Sequence, residues 1–243
     1  MHQPDPVFPP LLQGHAVKAP LQCDAEACRR ADIGELGAGD IVWSRNTAKA
    51  ECAIILEPDV SLDRAQQMVP LVMVALAETL GALCPPELPV EFAWPDRVLV
   101  NGGDAGRVTM IAPTCLDTAV PPWIVIAITL YLAARDTERE PGQSADITAL
   151  AEEGAGDVTR SAVLGHLAAC TLAWLDTWSS DGFRPIHDQW LFRSVGRQGG
   201  YVASGETELA TVLGLDESAG LLIKSASGAH RTLSFAPHLR AWP

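Results

Sequence analysis

Cations, hydroxyls and turn residues in the middle of the chain carry the clearest chemical signal. Trp94-Pro95-Asp96-Arg97 leads into the turn-rich Asn101-Gly102-Gly103-Asp104-Ala105-Gly106, and Arg107 follows at once. Guanidinium groups can grip a carboxylate or phosphate with two parallel hydrogen bonds, and a hydroxyl such as that of Thr129 adds a donor. Arg45 and Lys49 supply two further cations between two strand-like segments. One reading makes Arg45, Lys49, Trp94, Pro95, Asp96, Arg97, Gly106, Arg107 and Thr129 the lining of a carboxylate or nucleotide pocket. The other has Trp94 and Pro95 packing a hairpin while the arginines are solvated or paired at the surface. Neither singles out a catalytic residue.

Other reactive side chains form no constellation. His166, His187, His230 and His238 are scattered without metal-ligand spacing, so no metal site is expected. Cys23, Cys28, Cys52, Cys84, Cys115 and Cys170 contain no CxxC pair and read as buried or incidental thiols. The glycine-rich Asn101–Gly106 lacks a Walker lysine and a following helix, which makes it a turn and not a phosphate cradle.

The elements that must position these residues follow from periodicity. Phe8–Leu12 is an extended apolar lead-in, and Asp24–Leu36 reads as a short helix capped by Asp24 and closed by Gly37. Ile41–Ser44 and Glu51–Leu56 are strands joined by the short Arg45–Ala50. Leu62, Ala65, Val69, Val72, Met73, Leu76, Leu80 and Leu83 recur at helical spacing behind Ser61, and Pro70 should kink or break that helix. Pro89–Ala93 and Val98–Val100 are strand-like, with a hairpin turn before Val108–Ala112. Trp123–Leu132 is almost wholly apolar, as in a central strand buried on both faces. Arg135–Asp157 is a polar surface excursion with one turn of helix around Ile147–Glu153. Thr159–Trp178 is helical with Gly182 as its stop, and Pro185–Phe192 is a second short helix. Beyond Arg193 come short strands at Gly200–Ala203, Thr211–Leu215, Gly220–Lys224 and Arg231–Phe235, which fit a small barrel.

Composition narrows the function classes. The 243 residues carry a formal net charge of -13, and Lys18, Lys49 and Lys224 are the only lysines. A chain with no basic stripe is a poor partner for nucleic acid or for an anionic membrane surface. Met1–Lys18 has neither the basic nor the long apolar region of a signal peptide, and Asp63, Arg64, Gln66, Gln67 and Glu78 make Ser61–Leu83 costly in a bilayer. A soluble, cytoplasmic protein is expected.

The order of elements and motifs resembles the biotin/lipoate protein ligase superfamily, in particular bacterial biotin protein ligase. The resemblance runs from about Asp24 to Trp242. It is carried by Gly39-Asp40, by Phe92-Ala93-Trp94-Pro95-Asp96 with its hairpin, and by Trp123–Thr129. Gly182-Phe183-Arg184-Pro185 with Trp190, and Gly214-Leu215-Asp216 leading into Gly220-Leu221-Leu222, complete it. It implies an α+β fold with a mixed sheet packed by helices over residues 1–192 and a small SH3-like barrel over 193–243. It also implies ATP with Mg and biotin or lipoate as cofactors or substrates, a biotinyl- or lipoyl-type carrier domain as partner, and a possible homodimer. With no winged helix ahead of Asp24, a repressor role is not expected.

The chain departs from this pattern where the chemistry sits. The family's lysine before the WP pair corresponds to Ala93, a further lysine of the hairpin falls near Asp104, and a glycine and an asparagine of the buried strand correspond to Ala127 and Thr129. The connection Arg45–Ala50 is too short for the family's arginine-glycine loop. Each lost preorganised stabilising group typically costs about 3 to 4 kcal/mol of transition-state stabilisation. Two readings follow: an acid-activating ligase in which Arg45, Arg97 or Arg107 replaces the lysine, or a catalytically degenerate module that binds a small carboxylate or a protein partner. Cys115 could act as an acyl-thioester nucleophile, as in the related octanoyl transferases, but no adjacent base supports it.

Overall fold

In the computed structural model, which describes residues 3–134, 147–202 and 208–243, period-two apolar segments build one large mixed sheet. In chain order its main elements are β1 (Gln13–Val17), α1 (Cys23–Asp32), β2 (Asp40–Ser44), β3 (Lys49–Leu56), α2 (Leu62–Ala65), α3 (Met68–Leu83), β4 (Val90–Ala93), β5 (Arg97–Val100), β6 (Gly103–Pro113) and β7 (Ile124–Tyr131). The helices α4 (Arg160–Asp181) and α5 (Arg184–Arg193) follow, then β8 (Ala210–Leu215), β9 (Leu221–Ser225), β10 (His230–Leu233) and β11 (Arg240–Trp242). The strands order as β1-β2-β3-β7-β6-β5-β4, with β1 parallel to β2 and the other neighbours on this path antiparallel.

Alternation splits the sheet's side chains between two cores. Ile54, Val108, Met110, Ile124, Ile126 and Ile128 are buried in the core that contains α3 and α4. Ala53, Ile55, Ile111 and Val125 face the opposite way and pack on Ala27, Cys28 and Ala31 of α1. The strand expected to be central is central, but only one of its faces is sealed along its whole length. α3 is buried nearly all round, and across Leu62–Leu83, which takes in both α2 and α3, 78% of the most apolar 18 residues lie inside the protein, so this long apolar segment is core.

Helix ends obey local chemistry. The segment expected as one helix from Ser61 divides into α2 and α3 at Gln66-Gln67, which puts Pro70 in the first turn of α3, where a missing amide hydrogen forfeits no intrahelical bond. Thr159 caps α4, its hydroxyl accepting from the Ala162 amide, and Gly182 at φ +77° ends it. α1 ends at Asp32, short of Leu36, because Gly34 turns the chain at φ +68°; its N-cap is Gln22, with Asp24 in the first turn. A 3-10 turn at Leu150–Glu153 stands where one turn of helix was expected, and most of the preceding excursion, 135–146, lies outside the described residues.

At the C-terminal end, where a small barrel is expected, β8, β9 and β10 form a three-stranded antiparallel sheet. Its Val212, Leu215, Leu221 and Ile223 share a core with Phe92 and Trp190. Within the strand expected at Gly200–Ala203, Tyr201 makes a single bridge to Ala210, and Ala203 lies outside the described residues. Two strands were not anticipated: β1, and β11, which returns to the large sheet and pairs in parallel with Ile111–Pro113 of β6.

Leu76 is fully buried in the α3 core. Leu76→Ala should lower the unfolding free energy by about 2–5 kcal/mol in a urea titration. A loss below about 1 kcal/mol would contradict the core position of α3.

Candidate functional site

The site is an uncovered half of a sheet face. α1 has ten residues and is about 15 Å long, whereas the eight residues of β7 span about 27 Å. α1 therefore covers Val125 and leaves Ala127, Thr129 and Tyr131 partly open. Over this floor lies a cavity of about 420 Å³, bounded by Asp24, Glu51, Asp104, Arg107, Thr109, Thr129, Tyr131 and Arg240. A second, of about 610 Å³, is bounded by Ala93, Trp94, Pro95, Asp96, Arg97, Arg107, Thr109, Tyr201, His238 and Arg240. Arg107, Thr109 and Arg240 line both, so the two are one groove.

Strand register sets a row of side chains across the groove. Ala93 of β4 is opposite Arg97 of β5, Arg97 opposite Arg107 of β6, Arg107 opposite Thr129 of β7, and Thr129 opposite Glu51 of β3. Directly opposite residues of antiparallel neighbours share a face. Arg97 and Arg107 are like charges placed side by side, an arrangement that costs stability in a sheet unless anions compensate it.

Carboxylates do so. Arg97 Nε donates to Asp104 Oδ2 at 2.9 Å, Arg240 Nη1 to Asp24 Oδ2 at 2.7 Å, and Lys49 Nζ to Glu51 Oε1 at 3.2 Å. Arg107 differs. Its Nε is 3.6 Å from Asp96 Oδ2, beyond a hydrogen bond, and its guanidinium donates no hydrogen bond among the described residues. Burial raises the Asp96 carboxyl above the usual carboxylate range, with Asp104 adding to the rise; Arg107, His238 and Arg97 oppose it. Burial also pushes the Cys23 thiol up to about 12, with Glu51 and Asp24 adding to the effect, so this groove cysteine is no thiolate nucleophile. Cys115 lines neither cavity and packs against the α3 core. Among the described residues, no group of three or more His, Cys, Asp or Glu is placed to hold a metal.

Of the residues expected to line a pocket, Trp94, Pro95, Asp96, Arg97, Gly106, Arg107 and Thr129 are brought together here. Trp94 also packs: its indole donates to the Ala219 carbonyl at 3.1 Å and meets His238 edge-on, and Tyr201 Oη donates to the Trp94 carbonyl. Lys49 stands at the margin, 5.1 Å above the Tyr131 ring. Arg45 is a correction. Its guanidinium stacks on Trp43, whose ring belongs to the α3 core, and pairs with Asp5 at 2.6 Å on the far side of the sheet. Glu51, Thr109 and Tyr131 were missed, although a step of two residues from Lys49, Arg107 and Thr129 places each on the same face. Arg240 and Asp24 have no such signal, because long-range folding alone brings them here.

Residues 8–192 match the model of the biotin/lipoate A/B protein ligase family. The chain belongs to this family. The biotin–[acetyl-CoA-carboxylase] ligase of Paracoccus denitrificans is 25% identical over 188 residues, covering 76% of this chain and 78% of that one. A biotin protein ligase-like protein of unknown function from Silicibacter sp. superposes with a TM-score of 0.85 at 30% identity, covering 96% of this chain and 98% of its own. Biotin protein ligase from Aquifex aeolicus shares the fold, with a TM-score of 0.70 at 15% identity and coverage of 96% and 97%. In this chain β2 and β3 are joined by four residues, 45–48.

Because burial raises the folded-state pKa of Asp96, its contribution to stability is present below the unfolded-state pKa and is lost as pH rises through the folded one. The stability of Asp96→Asn relative to the parent should therefore increase between about pH 3 and pH 7, read from denaturant titrations. A decrease over that range would show instead that the ionised Asp96 is net stabilised by Arg107.

Proposed function

We propose that the groove binds a small carboxylic acid of the biotin or lipoate kind through Arg107, and does not activate it with ATP. The observation that carries this is the state of Arg107: a guanidinium at the centre of an open sheet floor, flanked by Thr109 and Thr129, ion-paired with Asp96 at 3.6 Å but donating no hydrogen bond among the described residues. A guanidinium fork matches a carboxylate geometrically and gives a stronger bond than neutral donors do.

A triphosphate fits less well. Arg97, Arg240 and Lys49 already hold Asp104, Asp24 and Glu51, Ala93 has no charge to offer, and the four-residue β2–β3 connection directs Arg45 away from the groove. A groove with near-balanced charge favours a monoanion over a polyanion, which would have to break several of these pairs. ATP complexes are known among structural relatives, as in the Aquifex aeolicus enzyme with biotin and ATP, at 14% identity and a TM-score of 0.66. The ancestral reading, ATP- and Mg-dependent activation and transfer to the lysine of a carrier domain, would require Arg97, Arg240 and Lys49 to leave their carboxylates for a polyphosphate. The binding reading needs neither carrier domain nor homodimer. A cytoplasmic location, and an SH3-like unit over 193–243 built on the three-stranded sheet, belong to the same proposal.

Calorimetric titration with biotin, lipoate and octanoate, each with and without ATP, tests it. One acid should bind with an affinity that ATP leaves unchanged, and Arg107→Ala should weaken it by about 10- to 150-fold, the loss of a charged hydrogen-bonded contact worth about 1.5–3 kcal/mol. Acid binding that is unaffected by Arg107→Ala, or that appears only with ATP, would overturn the proposal.

A further inference from the structure

We infer that the acid enters this groove together with one proton from solvent, which Asp96 receives, so that Asp96 turns from a rival of the ligand into its hydrogen-bond donor. The inference rests on the carboxylate reading of Arg107. Asp96 and Arg107 form a loose pair: Oδ2 and Nε stand 3.6 Å apart, and among the described residues the Asp96 carboxylate accepts no hydrogen bond and the Arg107 guanidinium donates none. A guanidinium has five donors in a fixed fork, so a ligand carboxylate can take the edge that Asp96 leaves open. Two carboxylates then share one cation.

Asp96 has little room to withdraw. It follows the buried Trp94 and Pro95 in the turn between β4 and β5, its carbonyl accepts from the Val108 amide at 2.9 Å, and its side chain is 19% exposed. The groups facing it are Arg97 of β5, Asp104 and Arg107 of β6, and His238 from the segment before β11, with Tyr201 and Arg240 lining the same cavity. Burial and Asp104 already favour its neutral form, against Arg107, His238 and Arg97. A ligand carboxylate tips this balance twice, because it adds a like charge at close range and draws Arg107 onto itself. Of the two anions, the ligand has the guanidinium and the hydroxyls of Thr109 and Thr129 to hold its charge, whereas Asp96 receives no hydrogen bond; the proton therefore goes to Asp96. Once neutral, Asp96 carries an O–H that can donate to the ligand carboxylate.

The test is calorimetry on the whole protein with biotin, lipoate and octanoate, run from about pH 5.5 to about pH 8, above the ordinary carboxylate range, in buffers of different ionisation enthalpy. The acid that binds should do so with net uptake of a proton, read from the dependence of the heat on the buffer. Its affinity should fall by about ten-fold or more over that range, since binding linked to one proton weakens by up to about ten-fold for each pH unit. Asp96→Asn, whose amide can donate at every pH, should abolish both effects and bind the acid more tightly than the parent at the alkaline end. Uptake and pH profile are read on the parent itself, so the test does not hang on the folding of the variant. Acid binding that needs Arg107 but takes up no proton, or an uptake that survives Asp96→Asn and so belongs to His238, would overturn the inference and leave the carboxylate site standing. If no acid binds, or binding ignores Arg107→Ala, the carboxylate reading falls with it.

Discussion

The site depends on one geometric mismatch: a sheet face whose strands are nearly twice as long as the helix that covers them. Side chains alternate along β7, so every second residue must find a cover or meet water. On one face α3 spans the need. On the other, α1 ends its apolar stripe after Ala27, Cys28 and Ala31, and the floor beyond Val125 changes from valine to alanine, threonine and tyrosine. The change in side-chain chemistry along a single strand marks where core stops and groove begins.

Charges then fill that floor in compensated pairs. Arg97 and Arg107, adjacent across β5 and β6, are tolerable because Asp104 and Asp96 stand beside them, and Arg240 reaches the groove only because β11 returns to the large sheet. Trp94 ties the hairpin to the C-terminal sheet through the Ala219 carbonyl, so the cation-bearing strands and the C-terminal segment hold one another in place. The β2–β3 connection is anchored from the opposite side: buried Arg160 donates to the Arg45 carbonyl at 2.7 Å and the Pro4 carbonyl at 3.0 Å. These contacts hold the backbone of the connection from below, and Asp5 holds its arginine.

Much of the architecture was legible in the sequence because its signals are local. Short apolar and β-branched runs located β2, β3 and β7, the turn at Asn101-Gly102 located the β5–β6 hairpin, and helical spacing with Thr159 and Gly182 located α4. β1 and β11 were not legible, since a five-residue and a three-residue parallel strand owe their existence to a distant partner. The same division holds at the site. Residues of the Trp94–Arg107 hairpin were recognisable as a cluster, being near in sequence. Arg45 was misplaced because one step along a strand reverses the face, and Ser44, not Arg45, borders the groove. Asp24 and Arg240, paired across 216 positions, could not have been joined by any local rule.

As proposed, the groove holds a monoanionic carboxylate and does not couple it to a triphosphate. Acid-dependent ATP–pyrophosphate exchange tests this, with biotin, lipoate and octanoate offered separately to folded protein. The account predicts no exchange above the acid-free blank with any of them, including an acid shown to bind. Exchange with even one, abolished by Arg107→Ala, would show that the paired cations can open onto a polyphosphate, and would contradict the account.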